Sequence, residues 1–137
     1  MRHNFAHENT MKIIRAAEMS FIPASHENPL APGVWKKILF ARSELQPGTV
    51  QMVNWARLPI GNSFSAHYHE DLQEIFIIVE GTAEMAVAGE SAILQRGDSI
   101  LIDPREVHRM TNRGSQDVEY VVIGITGDQG GKTVVVE

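Results

Sequence analysis

Apolar and polar positions divide this chain into two textures. From Val34 onward, short apolar runs alternate with turn residues at intervals of roughly 8 to 12 positions, the spacing of an all-β sandwich or barrel. The runs predict strands over Trp35 to Ala41, Val50 to Leu58, Ser65 to His69, Glu74 to Val79, Thr82 to Val87, Ser91 to Gln95, Ser99 to Ile102, Val107 to Thr111, Val118 to Ile125 and Lys132 to Val136. Pro47-Gly48, Gly61-Asn62, Gly81, Gly89, Arg96-Gly97-Asp98, Asp103-Pro104, Asn112-Arg113-Gly114 and the stretch Gly127 to Gly131 separate them. These residues supply positive φ or fixed proline geometry. Glu74 to Val79 is apolar on both alternating faces apart from Glu74 itself, which predicts a strand covered on both sides. An acidic residue opening such a strand needs a buried partner, and a metal ion is one.

Residues 1–33 lack this texture. Pro23, Pro29, Pro32 and Gly33 interrupt any long helix, so a mostly irregular N-terminal arm is expected there. Met11 to Met19 carries Ile13, Ile14, Ala16 and Ala17, which suit a helical turn or an edge strand equally well. Met11 also offers an alternative start. The expected organisation is an arm over 1–33, one β domain over 34–126 and a C-terminal hairpin or tail over 127–137.

Composition narrows the function classes. The 137 residues are 43% hydrophobic and 21% charged, which is ordinary globular usage and enough for one core. A formal net charge of −5, with no cluster of Lys and Arg, argues against nucleic acid or an anionic membrane as the partner. The absence of cysteine excludes disulfide frameworks, thiolate zinc sites and cysteine nucleophiles together. The first twenty residues contain no apolar run like a signal peptide, and no later stretch reaches the length of a membrane span, so a cytoplasmic protein is expected. Gly127 to Thr133 superficially suggests a phosphate loop, but Thr126 stands where the first glycine belongs and Val134 to Val136 reads as strand.

The candidate chemistry lies in His67, His69, Glu74 and His108. Residues two apart on a strand share a face, so His67 and His69 project together with Tyr68 turned away. Glu74 follows a short polar connection, from which an adjacent antiparallel strand would bring it beside the pair. His108 follows a second series of turn and strand residues, Gly97 to Val107, and a second hairpin would deliver it as a fourth ligand. Three imidazoles and a carboxylate suit a divalent transition metal. His3, His7 and His26 are assigned no part in that site.

The segment Gly61 to Gly81 resembles the first cupin motif: a glycine, His67-x-His69, Glu74 and a closing glycine at the motif's spacings. Gly97 to Asn112 resembles the second, with Gly97, Pro104, His108 and Asn112 in order. The proline falls one place later than in the commonest form, and Arg105 and Glu106 stand where a glycine is usual, yet the distance from Gly97 to His108 is preserved. The resemblance covers roughly Gln46 to Ile125.

It implies an all-β, single-domain antiparallel β-barrel of jelly-roll, cupin type. It also implies one metal near the open mouth, held by His67, His69, Glu74 and His108 with two positions left for water, substrate or dioxygen. The ion would be Mn, Fe, Ni, Co, Zn or Cu, with Mn or Fe ahead. A homodimer is implied too, with strand exchange through the arm from Met11 to Pro32.

Strand parity then assigns Phe76, Ile78, Ile102 and Met110 to the pocket lining, and Trp55, Arg57 and Tyr120 are further candidates near the mouth. Glu106, on the parity of His108, is the first choice for an acid or base. Two functions follow: a metal-dependent enzyme acting on a small polar organic molecule, by isomerisation, decarboxylation or oxygen insertion, or a metal-bearing module that binds a small ligand without chemistry.

Overall fold

The computed structural model describes residues 11–127 and 132–136. Its strands, in chain order, are β1 (Ile22–Pro23), β2 (Trp35–Ala41), β3 (Val50–Leu58), β4 (His67–His69), β5 (Leu72–Glu80), β6 (Ala83–Val87), β7 (Glu90–Leu94), β8 (Ser99–Ile102), β9 (His108–Thr111), β10 (Val118–Thr126) and β11 (Thr133–Val135). Each of the ten apolar runs overlaps one of β2 to β11. Single 3-10 turns form at Ala16–Glu18 and Arg42–Glu44. The stretch Gly127 to Gly131 falls largely outside the described residues, as do His3 and His7.

The closed barrel expected from sequence is not what the hydrogen bonds build. The strands form two open antiparallel sheets, one in the order β1-β2-β3-β10-β5-β8 and the other β11-β4-β9-β6-β7. Closure would require the edge strands to meet, but β8 pairs with β5 alone and β7 with β6 alone. The reason is that consecutive strands change sheet. Between β7 and β8, Gly97 adopts φ 90° and Asp98 Oδ2 accepts the Gln95 N–H at 2.7 Å. That turn carries the chain across to the facing sheet instead of continuing the ladder. The passages from β3 to β4 and from β4 to β5 cross in the same way. The result is a double-stranded β-helix, two facing sheets with their inward residues between them.

Inward residues alternate as the period of two requires. Phe76 and Ile78 of β5 and Tyr120 and Val122 of β10 meet Met85 of β6 and Met110 of β9 in one buried cluster with Leu58, Phe64 and Ile102. Gly81, between β5 and β6, has φ 84°, and a Cβ there would fall 2.6 Å from the Asp117 carbonyl oxygen, so the turn admits no side chain. The outward residues of β5 differ from expectation. Ile75, Ile77 and Val79 are only half-buried, because no second layer covers that face of the six-stranded sheet within one chain.

The described part of the arm folds onto its own chain. Ile22 and Pro23 pair with Lys36 and Trp35, and Ala24 N–H donates to the Val34 carbonyl at 3.2 Å. The buried Glu27 carboxylate accepts the backbone N–H groups of Gly33 (2.9 Å) and Ser65 (2.8 Å). One acidic side chain thus joins the arm to the segment that leads into β4.

Candidate metal centre

β4 carries His67 and His69 with both side chains buried, and β9 lies beside it with His108 as the direct Cα partner of His67. Glu74 does not come from a strand adjacent to β4. It reaches across from β5 in the facing sheet, where its Cα partners are Gly124 and Ile102. The four residues offer donor atoms that all lie within 4.8 Å of one another, and all four are buried. Glu74 Oε1 is 3.0 Å from His69 Nε2 and 3.1 Å from His108 Nε2.

The second ring nitrogens fix how these groups are protonated. His67 Nδ1 lies 2.6 Å from the Ser65 carbonyl oxygen and His108 Nδ1 lies 3.0 Å from that of Glu106. A carbonyl oxygen only accepts, so each Nδ1 carries the proton and each neutral ring presents Nε2 as a lone pair. His69 Nδ1 meets Thr133 Oγ1 at 2.9 Å, and a hydroxyl can donate there. With its proton on Nδ1, donated to that hydroxyl, His69 presents Nε2 to an ion; without one it satisfies both contacts as a neutral ring with its proton on Nε2. His108 cannot: its Nε2 lone pair faces the Glu74 carboxylate at 3.1 Å, and a cation or a proton must lie between them. Outer hydrogen bonds that orient imidazoles in this way are characteristic of metal sites.

The electrostatics agree. Burial holds the His67 imidazole down at about 3, with His26 and His108 adding to the effect and the Ser65 carbonyl opposing it. Burial pushes the Glu74 carboxyl up, but the His108 and His69 imidazoles that face it outweigh burial and bring the group to about 2. The unprotonated imidazole and the carboxylate are the forms that coordinate a metal. The residues thus fit a divalent ion in number, type and protonation.

His67, His69 and Glu74 of the tetrad line a cavity of about 230 Å³. Phe76 and Tyr120 line it, their rings 5.3 Å apart between centroids. Burial raises the Tyr120 phenol, with Glu74 and Glu27 adding to the shift. Ile78, Ile102 and Met110 are buried in the core beside the cavity and do not line it. Trp55 and Arg57 lie on the opposite face of their sheet. Trp55 Nε1 donates to Glu119 Oε1 at 2.5 Å, while the Arg57 guanidinium sits 4.4 Å over the Phe21 ring and its Nε is 3.9 Å from Asp117 Oδ2. Glu106 serves the centre through its backbone: its carbonyl holds His108, whereas its carboxylate accepts the Asp103 N–H at 2.9 Å.

Sequence reasoning missed several lining residues, among them His26, Lys36 and Asn54. The His26 ring is 4.1 Å from that of His67. Its Nε2 lies 3.4 Å from Glu27 Oε2, ion-pair distance without hydrogen-bond geometry, and is buried with no hydrogen-bond partner. Burial lowers its pKa more than the nearby carboxylates raise it. No periodicity marks a residue in an irregular arm, so nothing in the sequence singled out His26 or Glu27. Asn54 had a signal, since it shares inward parity with Ala56 and Leu58 on β3.

Comparison with known proteins agrees with this geometry. Residues 54–124 match the family model described as the cupin domain. The chain is 29% identical to an uncharacterised protein of Methanocaldococcus jannaschii over 110 residues, which cover 77% of this chain and 81% of the other. It is 31% identical to an oxalate-binding protein of Thermotoga maritima over 67 residues, or 49% of this chain and 55% of that one. Among solved structures, a predicted oxalate decarboxylase from Thermotoga maritima superposes with a TM-score of 0.75 at 23% identity, covering 85% of this chain and 100% of the other.

Proposed function

The chain belongs to the cupin superfamily, and from that premise we propose that it is a metal-dependent enzyme acting on a small polar organic molecule in the cavity beside the tetrad. The observation that carries this reading is the His108–Glu74 contact, where a lone pair fixed by the Glu106 carbonyl faces a carboxylate at 3.1 Å. Two acceptors so placed need a cation or a proton between them, and the convergence of three imidazoles on the one carboxylate suits a metal ion.

His67, His69, Glu74 and His108 would hold the ion, with manganese or iron the first candidates. A bound divalent metal supplies Lewis acidity toward a ligand oxygen, or redox chemistry where the metal permits it. The chain's own residues do the rest. The carbonyls of Ser65 and Glu106 keep the imidazoles in their coordinating tautomer. Phe64, Phe76 and Val122 line the cavity with apolar surface, which limits water around a bound substrate. Tyr120, with its phenol kept protonated by burial, remains a hydrogen-bond donor.

The test is elemental analysis of the purified protein, followed by oxygen uptake and product analysis with candidate substrates. One equivalent of a transition metal that disappears in a His67→Ala, His108→Ala double variant supports the proposal. Full metal content in that variant sinks it.

A homodimer is part of the same proposal. The outward rows of the six-stranded sheet supply apolar surface for a second copy, and the described arm is already paired to its own β2.

A further inference from the structure

The cavity also holds polar groups that take no part in the tetrad. Lys36 is the Cα partner of Ala56, and Asn54 that of Ile38, on the neighbouring strands β2 and β3. Lys36, Asn54 and Ala56 therefore share the face that lines the cavity together with His67 and Glu74. The Lys36 ammonium reaches Ser25 Oγ at 2.6 Å and forms no ion pair among the described residues. Partial burial lowers its pKa, as happens to an ammonium that no carboxylate compensates.

Asn54 is buried, and its Oδ1 has no hydrogen-bond partner. A buried polar atom left unsatisfied destabilises the fold. Such a cost is explained where a ligand supplies the missing partner. Turned over, the amide puts its NH₂ in that position as a donor to a ligand oxygen, which is the orientation an anionic ligand requires.

An ammonium without a carboxylate, beside an amide without a partner, forms a receptor for an anionic oxygen group. No arginine lines the cavity among the described residues, so bidentate phosphate recognition is not provided. A single ammonium matches a singly charged carboxylate. Much of the remaining lining is apolar, including Val34, Met52, Phe76 and Val122. β2 and β5 are separated by β3 and β10, so Lys36 and Glu74 address different parts of a ligand.

We propose that Lys36 and Asn54 form a carboxylate-binding subsite, and that the molecule handled at the tetrad carries a carboxylate remote from the atom it presents to the four ligands. This assignment rests on the reading of the tetrad as a metal-dependent site.

Calorimetric titration of the metal-loaded full-length protein with 4-hydroxybenzoate and its neutral counterpart 4-hydroxybenzamide tests it. Wild-type protein binds the benzoate about tenfold or more tightly than the amide. Lys36→Met removes that preference without changing metal content, and Lys36→Arg retains most of it. Asn54→Asp, which sets a second anion beside the ligand, weakens the benzoate by a similar factor and leaves the amide unchanged. Circular dichroism confirms that each variant is folded, and Lys36→Met alone decides the matter if Asn54→Asp does not fold.

The proposal is overturned if the wild type shows no benzoate preference or no benzoate binding. It is equally overturned if Lys36→Met keeps the preference, since the metal then reads the carboxylate by itself, or if 4-hydroxyphenyl phosphate binds tenfold more tightly than the benzoate. Protein that purifies without metal yet shows a Lys36-dependent preference fails the metal-enzyme reading and leaves the subsite standing. Metal-replete protein with no such preference does the reverse.

Discussion

Glu27 Oε2 accepts the backbone N–H of Ser65 at 2.8 Å, and the carbonyl of the same Ser65 holds His67 Nδ1 at 2.6 Å. A buried acid in the N-terminal arm thus sets the peptide that sets the first metal-ligand candidate. Glu27→Ala removes this acceptor and the one that satisfies Gly33 N–H. Two backbone donors are left facing an apolar gap, at a cost of about 2–4 kcal/mol in stability. Metal affinity falls by up to about 10-fold, the low end of the effect of losing a ligand's direct outer partner, because the Ser65 carbonyl is displaced and not removed. Urea denaturation and metal titration measure the two effects separately. Unchanged metal affinity in a folded variant would show that Ser65 needs no help from the arm.

Acid should destabilise the metal-free protein from an unusually high pH. His67 is held at about 3 against an ordinary 6.5, and Glu74 at about 2 against an ordinary 4.5. Both folded values lie below the unfolded ones, so the unfolded chain binds more protons. The His67 contribution is complete above pH 6.5 and is lost as the pH falls toward 3. That of Glu74 is complete above pH 4.5 and is lost toward 2. Between 6.5 and 4.5 the His67 slope approaches about 1.4 kcal/mol per pH unit. Urea midpoints at pH 8, 6 and 5 check this. A midpoint constant over that range would refute it, and a bound metal should deepen the dependence by proton competition.

Much of the centre was legible because strand periodicity and ligand spacing are local properties. The i, i+2 relation of His67 and His69 follows from a single strand, and Glu74 stood out as an acid in an apolar run. Which strands would be neighbours was not legible. β4 pairs with β9 and β11, and Glu74 arrives from the facing sheet, because turns such as Gln95 to Asp98 pass the chain between sheets. Parity says which side of a strand a residue occupies, and it says nothing of whether that side is cavity, core or surface. Phe76 therefore lines the cavity while Ile78, two residues on, belongs to the core. Trp55 and Arg57 alternate with the inward-facing Asn54 and Ala56 and point outward.

Arg105 adopts φ 70°, a left-handed conformation at a place where the family commonly has glycine, and its N–H donates to the His69 carbonyl at 2.7 Å. A side chain in that conformation costs about 1–2 kcal/mol. Part of the gain from glycine is offset by about 0.5–1 kcal/mol of added freedom in the unfolded chain. Arg105→Gly should therefore raise stability by up to about 1 kcal/mol, whereas Arg105→Val should lower it by a similar amount. Thermal unfolding of the two variants in parallel reads the sign. A lower melting temperature for the glycine variant would mean that the Arg105 side chain stabilises the loop by contacts that outweigh the strain.

The outer face of the six-stranded sheet is where the proposed homodimer is tested. Val53, Ile123, Ile75 and Leu101 are successive Cα partners across β3, β10, β5 and β8, and Trp55, Val121 and Ile77 form the next row. Leu101 is 51% exposed, and the other six are only half-buried in a single chain. Rows of Ile and Val on an outward face contradict the polar alternation of a sheet with one wet side. A contiguous apolar surface of this kind marks an interaction site. A twofold axis would let the same rows pack on their own copy, as isologous interfaces do. Light scattering should then find a mass of about twice 15.2 kDa for the wild type. Ile123→Asp, at the middle of the first row, should yield a folded monomer that still holds metal, since Ile123 points away from the tetrad. A wild-type monomer at micromolar concentration would end the argument, and a dimer unaffected by Ile123→Asp would move the interface elsewhere.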